Sequence, residues 1–124
     1  MKKFLCAFFF VLVLAGLSYA TEDAGTVSLR DFIAQVSNSL KFARLYKGKY
    51  VTVTGCEVYN IHAEGNDYVL VAWEPGSGSV YFIFTAANAE QLIDLDRGDV
   101  VTIRGIVRKK EYGGFHLYNC EIIE

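Results

Sequence analysis

Proline is nearly missing from this chain. Pro75 is the only one in 124 residues, and with a hydrophobic fraction of 52% the composition fits a packed core. Long apolar runs are equally scarce. Residues 4–17 form the only one, and these 14 residues fall short of the roughly 20 that a helix needs to cross a bilayer. Preceded by Met1-Lys2-Lys3 and followed by the small-x-small pattern Ser18-Tyr19-Ala20, the run reads as a signal peptide over residues 1–20, with cleavage expected after Ala20. Leu14-Ala15-Gly16 would fit a lipobox, but Leu17 stands where the lipid-bearing cysteine would be, so a lipid anchor is not expected. The protein is expected to be exported, to a periplasm or beyond the cell.

An excess of basic residues is missing too. Without Lys2 and Lys3 the mature chain of 104 residues keeps 10 basic against 14 acidic residues, a net charge of −4. That sign disfavours a general binder of nucleic acid or anionic membrane, whose affinity comes largely from phosphate neutralisation. Cysteine and histidine are too few for a scaffold or a metal centre built on local spacing. Once Cys6 leaves with the signal peptide, Cys56 and Cys120 remain, with His62 and His116 as the only histidines. No Cys-x-x-Cys or His-x-x-x-His pattern joins them, so neither a metal site nor a cofactor is expected. The two cysteines leave three alternatives: one internal disulfide, two buried free thiols, or an intermolecular bridge.

What is there has a clear order. After a short polar lead over residues 21–27, Ser28 and Asp31 stand at capping-box spacing. Leu29, Phe32, Ile33, Val36, Leu40 and Ala43 then recur at three- and four-residue steps, predicting an amphipathic helix over 28–47 that Gly48 ends. Its polar face carries Arg30, Gln35, Asn38 and Lys41, and its apolar face is expected to plug an opening of the domain. From Lys49 the period changes to two, predicting strands over 50–59, 68–73, 80–85, 99–108 and 115–123. Residues 88–95 suit a short helix capped by Asn88, with Gln91 three residues on. Val51-Thr-Val-Thr-Gly55 and Val101-Thr-Ile-Arg-Gly105 look alike because each strand is expected to need glycine where a small barrel turns its corner. The fold expected is mainly β with α. It is a five-stranded OB-type Greek-key barrel over 28–124, with an N-terminal amphipathic helix and a short helix between its third and fourth strands.

The chain resembles the tRNA-anti-codon-like OB-fold family of small exported bacterial proteins. The likeness rests on Asn38 and Ala43 leading into Tyr46-Lys-Gly-Lys49, on Val51-Thr-Val-Thr-Gly55, on the passage from Leu92 to Asp99-Val-Val-Thr-Ile-Arg-Gly105, and on Leu117-Tyr-Asn-Cys120. It implies an OB fold and an exported location, and no tRNA function. Family members often place a cysteine just after the glycine of the fourth strand, facing one in the fifth. Here Ile106 and Val107 stand there and Cys56 lies in the first strand, so a Cys56–Cys120 bridge would be particular to this chain.

Catalysis needs a nucleophile, a base and an orienting group together, and no such motif accompanies His62 or His116. An enzyme would need both histidines within about 5 Å of each other and of a carboxylate. The glycines at 76, 78, 113 and 114 precede strands, so they offer no phosphate-cradling helix start. The aromatic residues are more informative. Tyr68, Trp73, Tyr81, Tyr112, Phe115 and Tyr118 fall on strands and a hairpin through which OB folds bind oligonucleotides or oligosaccharides, with Arg104, Arg108, Lys109 and Lys110 nearby. They either form a stacking face or fill the barrel core. The expected function is an exported, non-enzymatic binding module for a small ligand, an oligosaccharide or a protein partner. An envelope assembly protein that docks through its helix or a strand edge is the alternative, and nucleic-acid binding ranks below both.

Overall fold

A computed structural model describes residues 22–111 and 114–123, with the side chains of 109–111 outside the description. Residues 1–20, read above as a signal peptide, also lie outside it. Six strands make one sheet: β1 (Asp23–Ser28), β2 (Tyr50–Glu64), β3 (Asp67–Glu74), β4 (Gly78–Phe84), β5 (Val100–Glu111) and β6 (Gly114–Ile122). Their order is β1-β2-β3-β4-β6-β5, and a further β2–β5 pairing closes β2 to β6 into a five-stranded barrel. Only β4–β6 in that ring is parallel, as an OB-type Greek key requires.

One strand serves both sides of the closure. The first half of β2 pairs with β5 and its second half with β3, so β2 must bend between them. Gly55 supplies the bend at φ +71°, where the register with β5 shifts between Val53 and Cys56. Gly105 answers a different need from the corner expected of it. Its φ is not positive, but a Cβ there would lie 2.6 Å from the Cys120 Sγ, so this glycine makes room for a neighbour.

Alternation along the strands fills the interior. Val51, Val53, Cys56, Val58, Leu70, Val80, Phe82, Phe84, Ile103, Val107, Leu117 and Cys120 form one buried cluster, which also takes in Leu29, Phe32, Ile33, Val36 and Tyr46 from the N-terminal helical segment. Leu29, Phe32, Ile33 and Val36 therefore close the barrel as the apolar periodicity predicts, whereas Leu40 and Ala43, expected on the same face, are exposed. The segment is not one helix, however. Helix α1 (Leu29–Val36) is capped by the Ser28 Oγ accepting from the Asp31 N–H at 3.1 Å. It ends at Ser37-Asn38, where Asn38 Oδ1 accepts from the N–H groups of Leu40 and Lys41 and starts α2 (Ser39–Lys41), which runs into a π-helical turn (Phe42–Tyr46). Three short polar residues in a row compete for backbone hydrogen bonds, and the helix breaks there.

Two other expectations are corrected. The polar lead contains a strand: β1 runs parallel to β2, with Val27 beside Val53, and Arg104 on β5 reaches the Asp23 carboxylate at 3.2 Å. The short helix between β4 and β5 is a 3-10 helix, Ala86–Leu92, beginning before Asn88. Asn88 does not cap it. Its Nδ2 donates to the Cys120 carbonyl, and Gln91 both donates to and accepts from Ile122, so these two side chains tie the helix to β6. Leu92, buried, joins the core.

Candidate ligand-binding face

Side chains that alternate with the core point outward, and on β3, β4 and β6 these are unusually aromatic. Trp73 on β3 stands opposite Ser79 on β4, while Val71 stands opposite Tyr81, which in turn lies beside His116 on β6. Tyr81 and His116 stack with centroids 5.0 Å apart at 15°, and His116 and Tyr118 follow at 6.4 Å and 26°. At the other end Tyr59 lies 6.1 Å from Trp73. Each end carries a cation. The Arg97 guanidinium sits 4.4 Å over the Tyr59 ring and that of Arg108 lies 5.0 Å over the Tyr118 ring.

Between Trp73 and Tyr81 the row opens. Tyr59, Val71, Trp73, Ser79 and Tyr81 line a cavity of about 200 Å³, walled by rings and floored by two small side chains. Val69, Val71 and Ile83 make a buried cluster beneath, with Tyr81 and Tyr118 packed against it, so the rings rest on a firm apolar base separate from the barrel core.

The expected site residues divide accordingly. Trp73, Tyr81, Tyr118 and Arg108 share this face. Phe115 is 7% exposed and belongs to the core, where it meets Phe42 at 5.6 Å. Tyr68 is on the inward alternation of β3 at one end of the barrel, lining a separate shallow cavity with Ile61, Ala89, Glu90, Leu92 and Ile93. Arg104 is engaged elsewhere, 3.9 Å over the Tyr50 ring and bonded to Asp23. Tyr112 and the side chains of Lys109 and Lys110 lie outside the described residues. Three members of the row were not foreseen as such: Tyr59, Arg97 and His116. Tyr59 falls at a bulge where the β2–β3 register shifts, and Arg97 in the turn before β5, so neither obeys a period that could single it out.

This arrangement sits on a chain that matches the model of the tRNA_anti-like family over residues 1–122. The chain belongs to that family. A search of curated proteins finds no match. Among solved structures, the family fold is shared by a "putative nucleic acid-binding lipoprotein" of Klebsiella pneumoniae subsp. pneumoniae. That protein is 22% identical, with a TM-score of 0.66 over 89% of this chain and 96% of that one. At this identity the likeness shows the fold.

Other chemically capable groups lie apart from the face or from one another. His62 is on β2 beside Val69 and His116 on β6, with β3 and β4 between them. Cys56 and Cys120 are free, buried thiols, which corrects the bridge considered for them. They sit on β2 and β6 with β5 between, and two strand spacings of about 4.8 Å exceed the roughly 7 Å that a disulfide spans between Cα atoms. Each S–H donates to the carbonyl three residues back, Val53 and Leu117 respectively, at 3.4 Å. Burial pushes the Cys56 thiol up to about 12 and raises that of Cys120 as well, which keeps both protonated and unreactive. No group of three or more potential metal ligands and no helix long and apolar enough to cross a membrane occurs among the described residues.

Proposed function

We propose that this chain is an exported, non-enzymatic OB-type binding module that holds a ring-bearing ligand by stacking on the outer face of β3, β4 and β6. One observation carries the reading: the row from Tyr59 through Trp73, Tyr81 and His116 to Tyr118, interrupted by a ring-sized opening. Tyr59 and Trp73 are exposed and Tyr81, His116 and Tyr118 half-buried, and rings so placed offer large, rigid contact area at little entropic cost. The related lipoprotein bears a name that includes nucleic-acid binding, in keeping with a ligand that stacks. Export rests on the pattern of residues 1–20, and Leu17 in place of a lipobox cysteine favours release without lipid. The buried thiols and separated histidines are in keeping with binding and not catalysis.

Trp73 is the chain's only tryptophan, so intrinsic fluorescence reports directly on the face. Titration with neutral oligosaccharides, short single-stranded oligonucleotides and aromatic small molecules is expected to give saturable quenching with one of these classes. Unchanged emission with all three would overturn the proposal.

A further inference from the structure

We infer that the ligand is a short single-stranded oligonucleotide, with one base held between Trp73 and Tyr81 and phosphates drawn to Arg108 and Arg97. The inference rests on the stacking face just proposed and adds the chemistry at its two ends.

A base needs a flat slot with π faces on its sides and little bulk beneath. Trp73 and Tyr81 are diagonal neighbours across β3 and β4, and the side chains directly opposite them, Ser79 and Val71, are the small ones that floor the opening. Further rings continue the same way, with His116 and Tyr118 on the far side of Tyr81. Bases stack tolerantly on such rings because every base presents a π face.

A neutral sugar would ask no more than this. The ends ask for an anion. Among the described residues Arg30, Lys49 and Arg104 are each within 4.0 Å of a carboxylate, that of Glu74, Glu22 and Asp23 respectively. Arg97 and Arg108 have no ion pair among the described residues; each guanidinium carbon lies over a tyrosine ring, at 4.4 and 5.0 Å, and a cation–π contact does not use up the N–H donors that a phosphate would take. The negative net charge of the chain is a sum over its whole surface and does not describe this face, whose two ends each carry an arginine on a tyrosine ring. The two ends are unequal. Asp96 and Asp99 flank Arg97 in its turn, the Asp99 carboxylate accepting from the Asp96 N–H, whereas Arg108 is followed by Lys109 and Lys110 in sequence. Arg108 is therefore the stronger anchor.

Around the barrel from Tyr59 on β2 to Tyr118 on β6 the row crosses three strand spacings, an arc of about 14 Å, which suits the short end of OB footprints.

The test uses fluorescein-labelled six-nucleotide poly-dT, with anisotropy for affinity, Trp73 quenching for location, and maltohexaose as the uncharged comparison. The expected result is saturable binding of the oligonucleotide with quenching, and a slope of log K against log salt of about −1.4 for two phosphate contacts. Arg108→Ala should flatten that slope by about 0.7 and weaken binding more than Arg97→Ala does. Tyr81→Ala should cost about tenfold or more, with circular dichroism confirming the fold. Quenching by maltohexaose without oligonucleotide binding would overturn this inference and leave the stacking face standing. Silence with both probes and with aromatic small molecules would overturn both. Oligonucleotide binding that neither arginine substitution nor Tyr81→Ala alters would place the ligand on another surface and overturn the assignment.

Discussion

Gly105 and Cys120 occupy one space between them. A methyl group at Gly105 would stand 2.6 Å from the Cys120 Sγ, 3.2 Å from the Tyr118 carbonyl and 3.3 Å from the Leu117 Cβ. Two of these neighbours are buried side chains on a paired strand, with no open side to move into. Gly105→Ala is therefore expected to destabilise the protein by about 1–3 kcal/mol, as overpacking does. Adding Cys120→Ala should recover part of that loss, and urea unfolding of the single and double variants measures it. The residue-level reading of the sequence was half right here. Gly55 and Gly105 end look-alike segments, yet the first serves a positive φ and the second a close approach. Local pattern cannot separate them, because the atom that excludes a side chain at Gly105 comes from a strand 15 positions later in the chain.

Elements show the same division between local and distant causes. The strands were legible because alternation is a local property. So was the Ser28 cap. The break at Ser37-Asn38 was written in polar residues that the hydrophobic periodicity spanned. β1 was not legible, since it is short, has no buried residue, and is held in place by β2. The stacking face was partly legible: Trp73, Tyr81, Tyr118 and Arg108 follow from strand position, while Tyr59 and Arg97 join only through a bulge and a turn. β6 contains a further irregularity. Asn119 adopts φ +53°, the only positive φ outside glycine among the described residues, beside the shift in β5–β6 register between Arg104 and Ile106. Asparagine tolerates this conformation and β-branched residues do not. Asn119→Val is expected to lower stability by about 1–2 kcal/mol, while Asn119→Gly is expected to keep it. Chemical denaturation of both variants checks the contrast, and loss in the glycine variant would point to the side chain instead of the backbone.

For the whole molecule, three protons are held more tightly in the fold than out of it. Burial raises Cys56 from an ordinary 9.0 to about 12, and raises Cys120 and Tyr46 also. Folded values above unfolded ones mean that the unfolded chain releases these protons first as pH climbs. Their stabilising effect is thus complete below about pH 9 and is lost progressively from there through about 12. Denaturation midpoints are expected to stay level through neutral pH and fall above about 9. In Cys56→Ala the fall should be shallower, and an unchanged profile in that variant would show that the thiol is not its source.

The first strand bears on the order of events during maturation. β1 begins at Asp23, only Thr21 and Glu22 after the expected cut at Ala20. Two extended residues reach at most about 7 Å. A peptidase that must draw the cut site into its own cleft cannot do so easily once Asp23 is fixed beside Tyr50. On the export proposed above, leader removal would precede the docking of β1 on β2, and a chain that folded completely too early would keep its leader.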